Sequence, residues 1–258
     1  MDNAPIILTG RGGSGTRLLS DIVGYSGVFL GNDLNKSSDS VEWVDLIYKI
    51  AIETVGQGGA APTNWSDQLQ QRAQNILTKA QADLGAWGLK LPETILILPQ
   101  LLQAFPHAKI VHLVRHPVDS SLRRTHMTSR MNNPIGRAVL SAAYSCLGRS
   151  IDDIRCDEDY LRNAITWDYQ LRQAMDFAQT DLPKDQYLEV RYEDICADPQ
   201  GSADAIQKFL GFQAVKINLP NIDTARTGDY ASDDPRIAKV WDICGETAQR
   251  LGYRLDET

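Results

Sequence analysis

Apolar residues fall along this chain in short unbroken runs separated by helical stripes. Ile6-Ile7-Leu8 is a continuous apolar run that stops at Gly10, the pattern of a strand buried on both faces. Beyond the glycines that follow, Leu18, Leu19, Ile22 and Val23 share one helical face. Val41, Val44, Tyr48, Ala51, Ile52 and Val55 predict a second helix with Asp39 as its cap. After a break at 56–62, Leu69, Ile76, Leu77, Ala80 and Leu84 predict a third. Trp87-Gly88-Leu89 reads as extended, and Pro92 opens a helix carrying Ile95, Leu98, Leu102 and Phe105. Ile110-Val111-His112-Leu113-Val114 is the clearest strand, with Pro117 opening the helix behind it. Val139, Leu140, Ala143, Tyr144 and Leu147 continue helically, and 151–159 reads as a polar connection. A long helix through Leu161, Trp167, Leu171 and Ala174 leads to a strand over 187–190. Ile237, Val240, Trp241, Cys244, Ala248 and Leu251 mark the last helix.

Strands alternating with helices predict a parallel sheet covered on both faces, whose ligands bind beyond the carboxyl ends of the strands. At 258 residues, the chain has the length of one well-buried α/β core. Its 26 basic and 33 acidic residues give a net charge of −7, which argues against a nucleic-acid partner and makes any anion site a local feature. Cys146, Cys156, Cys196 and Cys244 follow no metal-ligand spacing and read as free thiols of a reducing compartment. The residues before the first strand lack a signal-peptide pattern and no apolar run has membrane-spanning length, so a cytoplasmic protein without a membrane partner is expected.

The strand ending at Gly10 runs into Arg11-Gly12-Gly13-Ser14-Gly15-Thr16-Arg17 and then a helix. Glycines let successive backbone N–H groups converge, and the helix N-terminus adds a dipole that favours an anion. The plainer reading is a tight turn without a ligand, but two flanking arginines favour a phosphate. Against the nucleoside-triphosphate loop GxxxxGK[ST], Gly10 and Gly15 fit, whereas Thr16 stands at the lysine and Arg17 at the magnesium-binding hydroxyl. An anion site that works without a metal fits better. A second anion motif follows the central strand: Arg115 ends it, Pro117 opens the helix, and Asp119, Ser120 and Arg123 follow. A surface arginine beside a Pro/Asp cap is the plainer reading there.

Residues 10–19 resemble the 5′-phosphosulfate loop of sulfotransferases that use 3′-phosphoadenosine 5′-phosphosulfate (PAPS), whose core is SGT before an apolar helix. Gly13 departs from that pattern, which has lysine or arginine before SGT, so the assisting cation is expected from Arg11, Arg17 or Lys90. Residues 110–123 resemble the family's 3′-phosphate motif, with Arg123 where a serine is usual; either Arg123 or Ser120, one helical turn earlier, meets the phosphate, with Arg123 preferred. Trp87-Gly88-Leu89-Lys90-Leu91-Pro92-Glu93 and Arg191-Tyr192-Glu193-Asp194 resemble two further family segments, one near the acceptor and one near the adenosine.

The resemblance implies a single P-loop-like α/β/α three-layer domain over 1–258, with acceptor-pocket insertions near 32–85 and 131–159. It implies PAPS as donor, adenosine 3′,5′-bisphosphate as product, no metal, and a small-molecule or carbohydrate acceptor bearing a hydroxyl or amine. Glu93 is the expected general base, with His126 in reserve, and Lys90 and Arg17 are the expected catalytic cations. Gly12, Gly13, Ser14, Gly15 and Thr16 form the loop, and Tyr192 approaches the adenosine or is a core aromatic. Arg226 either folds over the 3′-phosphate or is solvated. The rival readings are a small-molecule kinase of the P-loop class and a non-catalytic nucleotide-binding protein.

Overall fold

The structure, a computed structural model, describes residues 4–56, 64–80, 85–219, 222 and 233–255. Strands β1 (Ile6–Thr9), β2 (Gly88–Lys90), β3 (Lys109–Val114) and β4 (Tyr187–Arg191) form one sheet in the order β2-β1-β3-β4. Every neighbouring pair is parallel, with Leu8 opposite Lys90 on one side and Val111 on the other. Around the sheet lie α1 (Arg17–Gly24), α2 (Val44–Gly56), α3 (Ser66–Ala80), α4 (Leu98–Ala104), α5 (Pro117–Ser121) and α6 (Pro134–Cys146). They are followed by α7 (Ile151–Cys156), α8 (Asp159–Asp181), α9 (Tyr192–Ala197), α10 (Pro199–Leu210) and α11 (Pro235–Arg250).

Successive strand side chains point to opposite faces, so a strand buried on both sides needs apolar residues at every position. Ile7, Leu89 and Ile110 enter a core with Ile47 of α2, Leu69 of α3, Leu101 of α4 and Val139 of α6. Ile6, Leu8, Val111 and Leu113 enter the opposite core with Leu19 and Ile22 of α1, Ile195 of α9 and Ile206 of α10. Val114 and Val118 continue into a third cluster with Trp167 of α8 and Val240 of α11. From β1 the chain crosses to β2 on one side, then passes back over β1 to β3 on the other. The loops after β1 and β3 therefore diverge, which opens a crevice at their carboxyl ends.

Local structure departs from the sequence expectation in three places. The helix expected from Pro92 is two pieces, a 3-10 turn over Pro92–Leu96 and then α4, with Ile97 between them in a non-helical conformation and Pro99 in the first turn of α4, where its missing N–H costs nothing. The stretch 151–159 holds a helix, α7, started by a reciprocal cap in which Ser150 and Asp153 each bond the other's backbone N–H. Ser40 rather than Asp39 stands at the start of the second helical segment, and the Asp39 carboxylate is turned to Lys90 instead. Leu84, Arg226 and most of the 56–62 break lie outside the described residues. Among the described residues no helix is long and apolar enough to cross a membrane.

Candidate functional site

The glycine-rich loop leaves the tip of β1 and the arginine motif leaves the tip of the adjacent β3. Tyr192, the first residue of α9, joins them. Its ring carries the Arg115 guanidinium 4.1 Å from its centroid, and a Cβ on Gly15 would lie 2.6 Å from the same ring. Gly15 also has φ +93°, so both its backbone and its neighbour exclude a side chain. Arg115 is 4% exposed and bonds Asp119 Oδ2 at 3.2 Å, one helical turn on. The hydroxyls of Ser14 and Ser120 are both buried and bond no group among the described residues. Two orphaned donors beside two loops of this kind fit an anionic ligand that supplies acceptor oxygens. Arg123 lies two residues beyond α5 and is half-buried. Both alternatives for the 3′-phosphate thus stay near the same helix end, and the unpartnered hydroxyl is a feature of Ser120.

Around the arginine motif the last segment of the chain closes. His116 stacks on Trp241 of α11 and meets Tyr253 edge-on. Glu193 accepts from the His116 backbone N–H at 3.0 Å and from the Tyr253 hydroxyl at 2.9 Å. His116 is therefore a tie between the motif and the closing segment.

On the β2 side, Thr94 donates its hydroxyl to Leu91 O at 2.7 Å and lies 2.8 Å from the Thr9 hydroxyl, which fixes the 3-10 turn against the tip of β1. Glu93 of that turn is 2% exposed, and burial pushes its carboxyl up to about 7, with Asp39 adding to the rise and its own backbone N–H and Lys90 opposing it. Its Oε1 stands 3.8 Å from His126 Nε2. His126 Nδ1 accepts from the Thr128 backbone N–H at 3.3 Å, so the ring proton sits on Nε2, toward Glu93. Burial, then Arg11, Arg124 and Arg130, hold His126 well below its ordinary pKa, so the ring is neutral. A neutral imidazole with its proton on the site-facing nitrogen donates rather than accepts. Of the two expected bases, Glu93 has the free acceptor atoms for the role.

Lys90 reaches Asp39 Oδ1 at 2.5 Å and Ser37 O at 2.8 Å, and burial lowers its pKa against the pull of Asp39. Arg17 is exposed at the first position of α1, where no acid stands in the first turn. A cation there opposes the helix dipole, a placement that an incoming anion relieves. Both Arg17 and Lys90 act on Asp21, so the two cations share one side of the loop. Arg11 is turned the other way, into a buried network described below. Tyr48, Asn163 and Ser129 also enter the site region, and sequence reasoning passed over them. Tyr48 sits on the apolar stripe of α2 yet feels the charges of Glu93 and Asp39, and nothing local distinguishes it from a core residue.

The sulfotransferase family model matches residues 5–215. Omega-hydroxy-beta-dihydromenaquinone-9 sulfotransferase Stf3 of Mycobacterium bovis and that of Mycobacterium tuberculosis are each 24% identical over 172 residues, 64% of this chain. That match spans 40% of the length of those curated relatives. A sulfotransferase structure from Alicyclobacillus acidocaldarius superposes with TM-score 0.55 at 12% identity, covering 97% of this chain and 95% of its own. The sulfotransferase domain of the Synechococcus PCC 7002 olefin synthase gives 0.51 at 19% identity, covering 98% and 96%. At these identities the structural likeness speaks for the fold.

Proposed function

The chain belongs to the sulfotransferase family, and from that premise we propose that it transfers a sulfuryl group from PAPS to a hydroxyl or amine of a small acceptor. The observation that carries the reading is the junction of two anion motifs through Tyr192, with Gly15 under one edge of the ring and Arg115 over its face. A donor with phosphates on both sides of its ribose needs two such sites, whereas a triphosphate needs one. Residues 12–16, with the Ser14 hydroxyl, hold the 5′ end, and Arg115 with Ser120 and Arg123 holds the 3′-phosphate.

The donor supplies an activated sulfuryl group. Glu93 takes the acceptor proton as the new oxygen–sulfur or nitrogen–sulfur bond forms, and the bond from sulfur to the 5′-phosphate breaks with its electron pair leaving on the phosphate oxygen. Arg17 and Lys90 stabilise the charge that spreads over the equatorial oxygens. His126 faces Glu93 with its Nε2 from 3.8 Å, beyond hydrogen-bond distance, and acts on the carboxyl through its dipole. Segments 32–85 and 131–159 shape the acceptor pocket, within one domain. The curated relative is named for an ω-hydroxylated dihydromenaquinone, and only its hydroxyl is carried over here. A reducing, cytoplasmic setting accords with the four free cysteines.

Thermal shift tests this reading with adenosine 3′,5′-bisphosphate and ATP, each with and without Mg²⁺. The bisphosphate at about 100 times its Kd adds roughly 2.7 kcal/mol of native stability without the metal. Stabilisation by Mg²⁺-ATP alone would replace this reading with a kinase.

A further inference from the structure

Arg11 has a different setting from every other cation of the site. It is 1% exposed, and its guanidinium donates to Gly12 O at 3.1 Å, Ser120 O at 3.3 Å, Ser129 Oγ at 3.1 Å and Asn163 Oδ1 at 2.9 Å, with Asn163 O at 3.5 Å. All of these acceptors are neutral. Among the described residues no carboxylate forms an ion pair with it, and Nε bonds nothing. Burial pushes its pKa down to about 10, as expected of a cation that has lost water and gained no counter-charge. Neutral acceptors satisfy N–H groups but leave the net charge in place, and an unbalanced buried charge is among the most costly features a fold retains.

The position of that charge is informative. Gly12 belongs to the loop after β1 and Ser120 to α5 after β3, so one guanidinium bonds both anion motifs. Its Nη1 is also 3.7 Å from where a Cβ on Gly13 would stand. A positive charge therefore underlies the one loop residue that carries no side chain and is open to solvent. Its field already reaches His126, lowering that pKa after burial has acted.

We propose that Arg11 is the resident counter-charge of the nucleotide donor, a buried cation slung between the glycine-rich loop and α5 whose unbalanced charge is met when the phosphates bind. The proposal rests on the donor reading above and adds to it that Arg11 acts on the phosphates by its charge, from beneath the loop, rather than by touching the ligand. A hydrogen-bond brace alone would serve equally well if it were neutral; a counter-charge would not.

Titration calorimetry separates the two with adenosine 3′,5′-bisphosphate and uncharged adenosine as probes, on the wild type, R11M, R11K and N163D. R11M loses bisphosphate affinity by about tenfold or more while adenosine binds as before. R11K, which keeps the charge and gives up the fork, stays within about threefold of wild type. N163D leaves Arg11 in place and sets a carboxylate against it, so it too weakens the bisphosphate by about tenfold; it carries the test if R11M does not fold. Unchanged bisphosphate affinity in R11M or N163D would overturn the counter-charge, as would R11K falling as far as R11M, or equal losses for both probes. No bisphosphate binding by the wild type would instead overturn the donor reading beneath it.

Discussion

Replacing Glu93 with glutamine separates what this carboxyl does for the reaction from what it does to the fold. The side chain is buried in a turn held against the tip of β1, and burial pushes its pKa from the ordinary 4.5 to about 7. The sign follows from linkage. A carboxyl with a raised folded pKa favours the folded state only while protonated; that contribution is complete below the unfolded value and is lost as pH rises through the folded one. Between 4.5 and about 7 the loss amounts to ~3 kcal/mol at 1.36 kcal/mol per pH unit. E93Q does not titrate, so at pH 8 it is more stable than wild type by up to about 3 kcal/mol, or roughly 6–12 °C in Tm for a chain of this size. At pH 5 the gap narrows to under about 1 kcal/mol. The same substitution removes the base and lowers kcat by about 10²–10⁴-fold. In wild type, kcat/KM falls about tenfold per pH unit below 7, since it reports the free enzyme. Scanning calorimetry of both proteins at pH 5 and pH 8, beside a sulfuryl-transfer assay across that range, tests the whole chain. An E93Q protein no more stable than wild type at pH 8, or activity that stays flat down to pH 5, refutes it.

Three other perturbations probe the neighbouring contacts. D39N removes the charge that helps raise Glu93 and frees Lys90 of its ion pair; the acid limb of kcat/KM moves to lower pH, and a pH–rate profile reads it. R115M abolishes the Tm rise caused by adenosine 3′,5′-bisphosphate, and because it removes one buried charged partner of Asp119 it costs about 1.5–3 kcal/mol in urea melts, a loss that R115M/D119N recovers in part. G15A drives a methyl into the Tyr192 ring at a positive-φ position and loses about 1–3 kcal/mol; G15A/Y192L, which removes the ring, recovers more stability than additivity allows.

The parallel sheet was legible because burial on both faces writes itself into every strand position, as in Ile6-Ile7-Leu8 and 110–114. The half of the candidate site proposed for the nucleotide was legible for a related reason. A strand, a loop and a helix N-terminus follow one another in sequence, so the loop glycines, Ser14, Arg115 and Ser120 announce themselves in two contiguous stretches. The half proposed for the acceptor draws on Asp39 before α2, Tyr48 within it, Glu93 in the 3-10 turn and His126 after α5, and no periodicity links those positions. Arg11 shows the limit within the legible half. Its place in the loop suggested a ligand contact, but its side chain turns beneath the loop to α5 and α8, where the acceptors lie more than a hundred residues away.

The glycines of the loop connect these two halves more closely than their phosphate-loop reading implies. A Cβ on Gly12 would stand 1.8 Å from His126 Nε2, and one on Gly15 would stand 2.6 Å from the Tyr192 ring. Each missing side chain is thus the seat of an aromatic ring brought from elsewhere in the chain, His126 beside the base and Tyr192 beneath Arg115. Backbone exposed to an anion requires only that side chains be absent on the ligand side. Here their absence also lets His126, beside Glu93, and Tyr192, beneath Arg115, close on the loop, so the same glycines set how near the proposed base and the proposed 3′-phosphate residues stand to it.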